Sequence, residues 1–294
     1  MRGDSILFPT ESGLYCPPGD FYIDPLRPVA RALITHGHSD HARAGHGAVM
    51  ATAETLAIMG LRMGPDFAAS TQVAAEPVRI GDVTVSFHPA GHVLGSAQIA
   101  VMPDKGPKIV VSGDYARAPN PTCAPFQPVP CDIFVTEATF GLPVFRFPDP
   151  QAEIRRLLAS MADFPDRPHL IGAYALGKAQ RILAELARFD EPPVFLHGAV
   201  DTGVQVYRQA GIDLIAASTP VFTSPAGGAL DPAPAGLALV GEEYPSAVTT
   251  LASDVPEVAL LLEVDAQRVG VRQGQNHQHA EHRQRPPGQS EPGG

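Results

Sequence analysis

Six consecutive residues constrain this chain more than any other feature: His36-Gly37-His38-Ser39-Asp40-His41. They follow an apolar run, Ala30–Thr35, that reads as a strand. Three imidazoles and a carboxylate in so short a loop suit zinc or another first-row metal. His36 and His38 are two residues apart in an extended loop, so both can point to one side. Gly37 is expected to permit a tight turn. Asp40 and His41 follow where the chain is expected to start a helix, and can serve a second metal nearby.

Two further segments extend the pattern. Pro89-Ala90-Gly91-His92-Val93-Leu94-Gly95-Ser96 offers one histidine in a glycine-flanked turn after a strand. Gly113-Asp114-Tyr115 offers one carboxylate after another strand. Alone each is weak, since an aspartate after a strand is commonly a helix cap. Together they place His36, His38 and His92 around one metal and Asp40 and His41 around another, with Asp114 between. Such a bridged pair activates water at neutral pH and stabilises attacking and leaving oxygens alike. With those positions filled, His46, His88 and His197 are read as structural or supporting, and Tyr115 as a packing residue at the rim.

The surrounding chain reads as α/β. Candidate strands are Ala30–Thr35, Val83–Phe87, Gln98–Met102, Lys108–Ser112 and Asp132–Thr136. Helical spacing covers Thr52–Met63, with Leu56, Met59, Gly60 and Met63 on one side, and Pro150–Ala162. It also covers Gly177–Arg188, with Ile182, Leu183 and Leu186 on an apolar face and Lys178, Arg181 and Glu185 near the other. Phe140–Pro150 reads as a linker. The division expected is a metal-bearing core over 1–145, a partial cap and divergent segment over 146–264, and a disordered tail over 265–294, polar from about Gln273. No apolar run has membrane-spanning length and the start shows no signal-peptide pattern, so a cytoplasmic protein is expected. Cys16, Cys123 and Cys131 form no CxxC pair, and reduced thiols are the simplest reading.

The net charge of −10 argues against a general nucleic-acid binder. The excess is local, however: between Arg208 and Arg268 there is no Lys or Arg, while eight acidic residues fall there. The first 208 residues are nearly balanced, which leaves room for a basic groove. Lys178 and Arg181, behind Gly177 at a helix start, could touch a nucleic-acid backbone or form an ordinary solvated face. Glu137 could order a metal water or pass a proton, or be a plain acidic loop residue.

These motifs resemble the metallo-β-lactamase superfamily and, more narrowly, its β-CASP nucleases. Asp24 in Phe21-Tyr22-Ile23-Asp24-Pro25 matches the first acidic motif, which implies that it orients a ligand histidine. HGHSDH matches the second motif, Ala90–Ala97 (AGHVLGSA) the third, and Ser112–Tyr115 (SGDY) the fourth. Val135–Gly141 (VTEATFG) looks like the acidic motif opening the β-CASP insertion, and Ala173–Arg181 (AYALGKAQR) resembles a segment within it. LYCPPGDFYIDP, DHARAGHG, CAPFQPVPCDIFVTEATFGLP and VFLHGAV are most similar to bacterial ligase-associated DNA exonucleases. The resemblance covers roughly residues 13 to 215. It implies a four-layer αββα sandwich with an inserted cap, and two divalent metals, zinc first and manganese as the alternative. It also implies a DNA substrate, and an ATP-dependent DNA ligase and a helicase as functional partners.

After Arg208 the resemblance stops. Complete β-CASP enzymes supply two more histidines after the cap, one in a Ser-x-His-Ala-Asp-like segment and one in a His-Gly pair. Leu214–Glu263 contains no histidine, and His277, His279 and His282 follow without a preceding motif. The C-terminal part is therefore read as incomplete, through truncation or frame alteration, or else as a divergent second metal site. Impaired nuclease activity is expected in either case. The leading function is a metal-dependent DNA exonuclease in repair or end processing. An RNA-processing nuclease, a small-molecule hydrolase of the same general fold and a non-catalytic binding module are the alternatives.

Overall fold

A computed structural model describes residues 2–166, 169–189, 194–218, 237–241, 261–265 and 268–272. The first sheet has six strands in chain order: β1 (Phe8–Thr10), β2 (Gly13–Cys16), β3 (Phe21–Ile23), β4 (Arg31–Leu33), β5 (His46–Ala51) and β6 (Ala68–Val73). It is antiparallel through β3 and parallel from β3 to β6. Helix α1 (Ala53–Met63) connects β5 to β6, the crossover that parallel neighbours need.

The second sheet comprises β7 (Val78–Ile80), β8 (Val83–Pro89), β9 (Ala97–Pro103), β10 (Ile109–Val111) and β11 (Ile133–Val135), in the order β11-β10-β9-β8-β7. The two sheets pack face to face. Phe21, Ile23, Leu33 and Met50 of the first meet Val83, Val85, Ile99, Val101 and Ile109 of the second in one apolar cluster. On the outer face of the first sheet, Ala32, Ile34, Val49 and Ala51 pack against Met59 of α1 and Phe67. On the outer face of the second sheet there is no helix among the described residues. Its place is taken by a loop, because Gln98 is fully buried there and donates to the carbonyls of Pro89 and Gln127. Among the described residues this face is therefore covered by irregular chain at Gln127.

A third sheet follows α2 (Pro150–Asp163). It holds β12 (His169–Ala173), β13 (Val194–Leu196), β14 (Ala217–Ser218), β15 (Leu237–Gly241), β16 (Leu261–Asp265) and β17 (Arg268–Arg272), in the order β14-β13-β15-β12-β16-β17. All neighbours are parallel except β16 and β17. Strand pairing therefore continues to Arg272, inside the stretch expected as a tail. The polar run from Gln273, with His277, His279 and His282, lies outside the described residues. Helices α3 (Lys178–Leu186) and α4 (Gly198–Gln209) pack with this sheet through Ile182, Leu183, Val200, Val204 and Tyr207. The same cluster includes Ile58 of α1 and Leu94, so the third sheet's layer is seated on the first two.

Three expectations about helices change. The buried face of α1 is Thr55, Ile58 and Met59, with Leu56 and Met63 only partly buried. The helix lies between two clusters, so its apolar surface is wider than one stripe. Glu185 is buried, 5% exposed, not solvated, and is paired with Arg188 at 3.4 Å. His38–His41 form a single turn closed by His41 and Ala42 N–H bonding to the His38 carbonyl, with no helix after it.

Candidate metal centre

The site lies where strands of both face-to-face sheets end. β4 runs out at Leu33, and the chain continues through Thr35 into the histidine loop. The β8–β9 turn brings His92, and β10 leads into Gly113 and Asp114. Thr35 joins the three: its carbonyl accepts from Ala97 N–H at 2.8 Å. Gly113 adopts φ +55°, and a Cβ there would stand 2.6 Å from the Thr35 Cβ. Only glycine permits both the left-handed turn and this approach.

Donor atoms of His36, His38, His92 and Asp114 all lie within 4.8 Å of one another. His38 Nδ1 is 3.1 Å from His36 Nε2 and 3.3 Å from His92 Nε2. Asp114 Oδ2 is 3.7 Å from His36 Nε2 and 3.5 Å from His92 Nε2. Ligands about 2.0–2.1 Å from a tetrahedral zinc stand about 3.4 Å apart, and these four separations, 3.1–3.7 Å, lie around that value. The other Asp114 oxygen, Oδ1, faces His41 Nε2 at 3.3 Å, and Asp40 Oδ2 is 3.6 Å from the same nitrogen. Asp114 therefore stands between two groups of donors, as the residue pattern suggested.

Hydrogen bonds at the far ring nitrogens fix which lone pairs point inward. The Thr35 hydroxyl donates to Asp24 Oδ2 at 2.6 Å, so toward His36 Nδ1, 3.1 Å away, it can only accept. His36 then carries its proton on Nδ1 and turns the Nε2 lone pair into the site. His38 Nε2 faces the Leu176 carbonyl at 3.3 Å, which leaves the Nδ1 lone pair inward. Lone pairs so close to one another repel; a cation among them resolves the conflict. Asp24 also binds His41 Nδ1 at 2.8 Å and accepts from Thr35 N–H. It holds this position in a left-handed backbone conformation, φ +44°, a strained state for a non-glycine residue. The main chain of His92 is pinned by Ser96 Oγ and by Asn120 Nδ2.

The electrostatics suit the same purpose. Burial pushes His36 well below its ordinary range, lowers His38, and takes His92 to about 4, each further depressed by neighbouring imidazoles. These rings are neutral, as ligation requires. Burial opposes charge on Asp114 most strongly, but the hydrogen bond from His41 and the electrostatic pull of His41, His92 and His38 together outweigh it and hold the carboxyl low. For His41 burial is outweighed by hydrogen bonds to Asp114 and Asp24, which raise it to about 10. Without metal, His41 is the cation of the site.

The structure gathers His36, His38, His92, Asp114, His41 and Asp24. Asp40 lies at the edge, its side chain 74% exposed. Glu137 follows β11, next to β10 in the sheet, and its carboxylate accepts from Thr139 N–H at 2.7 Å; it is not part of the donor cluster. Lys178 and Arg181 are half-buried on the first turn of α3, with the Lys178 ammonium 3.8 Å from the centre of the Tyr174 ring. Gly37 is not in a left-handed conformation. It is needed because a Cβ would come within 2.6 Å of Ile58 Cγ2, and its carbonyl accepts from Arg62 at 2.7 Å. His46 is buried elsewhere, accepting from Val29 N–H. His88 bonds to Ser86. All three cysteines are free, with Cys16 buried. Among the described residues no helix is long and apolar enough to cross a membrane. Thr35, Arg62 and the Leu176 carbonyl were not anticipated; only Thr35, adjoining the motif at a strand end, left a local sign.

No family model matches the chain. A protein of Opitutus terrae named Probable DNA ligase is 31% identical over 212 residues, 68% of this chain and 20% of that protein. The cleavage and polyadenylation specificity factor subunit 3 of Dictyostelium discoideum is 26% identical over 64% of this chain and 29% of its own length. An RNase J-like protein of Methanocaldococcus jannaschii is 26% identical over 43% of this chain and 32% of its own length. The chain thus spans a third or less of each of these relatives. With the donor cluster at the mouth of the two sheets, these similarities point to the β-CASP family of the metallo-β-lactamase superfamily as the family of this chain.

Proposed function

We propose that the chain is a metal-dependent phosphodiester hydrolase acting as a DNA exonuclease in DNA repair or end processing. In this reading residues 1–145 are its metal-bearing core and 146–264 a partial cap with a divergent segment. The observation that carries this reading is the convergence of ring nitrogens from three imidazoles with one carboxylate, and a second histidine–carboxylate group across Asp114. DNA is favoured because the relative matched over 68% of the chain is named a probable DNA ligase. An ATP-dependent DNA ligase is the fitting functional partner, with a helicase proposed from the family resemblance alone.

When bound, two divalent ions, zinc first and manganese second, supply an activated water and neutralise charge on the phosphate. His36, His38, His92 and Asp114 would hold the first ion, and Asp114, His41 and Asp40 the second. Asp24 orients His41 directly and His36 through Thr35, so that their Nε2 lone pairs face the ions. Asp40, exposed beside His41, and Glu137, after the adjacent strand, would take and pass protons in this reading. Lys178 and Arg181 on the cap side counter the charge of the nucleic-acid backbone. Among the described residues the second ion has few ligands, which favours weaker binding there and slower cleavage than at a fully furnished pair.

A second reading, an RNA-processing nuclease, is favoured by the relative named RNase J-like. The test is an end-labelled DNA strand and an RNA of the same sequence, each incubated with metal-loaded protein and with the His36→Ala, His38→Ala double variant. Stepwise shortening of DNA that stops with EDTA and in the variant is expected. Preference for RNA supports the second reading, and no cleavage of either polymer sinks both.

A further inference from the structure

Tyr174 lies outside the metal donors and is 45% exposed, in the loop between β12 and α3. That loop is tied to the metal centre at two points. The Leu176 carbonyl is 3.3 Å from His38 Nε2. A Cβ on Gly177 would be 3.6 Å from the same nitrogen and 2.7 Å from Val93 Cγ1, so the loop can sit this low only with glycine in its left-handed conformation, φ +93°. Tyr174 and Leu176 are two residues apart, so their Cα atoms are at most about 7 Å from each other. The loop is also held from within: Tyr174 O accepts from Ala179 N–H, and Gln180 bonds to Gly177 N–H and to the Ala175 carbonyl.

On this rim the Lys178 ammonium stands over the Tyr174 ring, 3.8 Å from its centre. A cation over the ring restrains its tilt, while the residue's exposure leaves ring surface open to solvent. An exposed aromatic at the edge of a nuclease site, with a cation against it, has the elements that bind single strands: a π surface for a base and charge for the backbone. We propose that Tyr174 is a stacking platform for one nucleobase of a single-stranded end entering the metal centre. This deepens the nuclease reading and rests on it. The ligand chemistry is that of an unpaired nucleobase, which DNA and RNA share, and stacking on tyrosine selects little between bases.

The test uses the full chain in EDTA, where binding is read without cleavage. Fluorescence anisotropy follows a labelled oligo-dT strand, the same strand with one abasic position moved along it, and an oligo-rU strand. Tyr174→Phe is expected to bind like wild type. Tyr174→Leu, which keeps apolar bulk without a π face, is expected to lose about five- to 150-fold in affinity, since one base stacked on an aromatic contributes about 1–3 kcal/mol. At one abasic position the wild type should lose a similar factor and Tyr174→Leu nothing further, the non-additivity expected of two partners in one contact. Oligo-rU should show the same dependence on Tyr174 whichever polymer is cut. Wild-type binding that Tyr174→Leu leaves unchanged overturns the stacking site while the nuclease reading stands. Independent losses at every abasic position overturn it as well. Absence of binding to either strand by the wild type removes the nuclease reading, and the platform with it.

Discussion

Replacing Thr35 by valine tests how the metal site is held together. Thr35 is 1% exposed, and its hydroxyl connects Asp24 Oδ2 at 2.6 Å with His36 Nδ1 at 3.1 Å. Valine keeps the branched shape that packs beside Gly113 and puts a methyl where the hydroxyl stood. The hydroxyl–carboxylate bond contributes about 1.5–3 kcal/mol, and leaving the buried His36 N–H without a partner costs about 1–3 kcal/mol. Asp24 keeps two partners, Thr35 N–H and His41, so part of the first loss is recovered. The expected net destabilisation of the metal-free protein is about 2–4 kcal/mol, seen as a lower urea midpoint at unchanged slope. Freed from its tautomer lock, His36 should also bind metal more weakly, by about 10- to 100-fold, as loss of an outer partner of a ligand histidine typically does. Competition against a chromophoric chelator measures this. Thr35→Ser restores the hydroxyl and should recover most of the metal affinity. If Thr35→Val binds metal like wild type, or Thr35→Ser is as impaired as Thr35→Val, the relay from Asp24 to His36 is wrong.

Metal titration of the apo protein should fill one position tightly and a second more weakly. Because His41 is raised to about 10, its Nε2 proton must leave when the second ion binds, so proton release in weak buffer near pH 7 should accompany that phase and vanish in His41→Ala. Gly177→Ala should lower the melting temperature and weaken metal binding, since φ +93° is unfavourable for alanine and its methyl would meet Val93; an unchanged melting curve counts against the tight loop. His46 is 1% exposed, with Nδ1 accepting from Val29 and Nε2 unpartnered, and burial lowers its pKa. With the folded value below the unfolded value near 6.5, the unfolded state binds the proton better, so stability is full above about pH 6.5 and falls as pH drops below it. Urea midpoints between pH 7.5 and 5 should fall less in His46→Gln, whose amide can still accept from Val29.

The donors were readable from sequence to the extent that they sit beside strand ends. Loop residues His36–His41 are contiguous, and His92 and Asp114 each follow a buried apolar run that marks a strand. Among the elements not anticipated, β1 to β3 have only three or four residues each, too few to show a period, while β6 is mostly exposed and so carries no apolar alternation. α1 shows why periodicity alone found one buried side and missed another. Met59 packs on the first sheet and Ile58 toward α4, so the helix has two buried sides where a single stripe was expected.

Gly37 makes the same point at one residue. Glycine between two ligand histidines suggests a need for backbone freedom, yet its conformation is open to any residue, and what excludes a side chain is Ile58 one helix away. The ring orientations are set in the same manner. His36 is oriented by a carboxylate eleven residues upstream of Thr35 acting through that hydroxyl, and His38 by a carbonyl 138 residues downstream. A ligand's identity is local chemistry and can be read from its neighbours in sequence. Which of its nitrogens faces the metal depends on partners that only the fold brings together. That is why substitutions at Thr35 and Gly177, outside the motifs that first exposed the site, are expected to alter metal binding without removing a ligand.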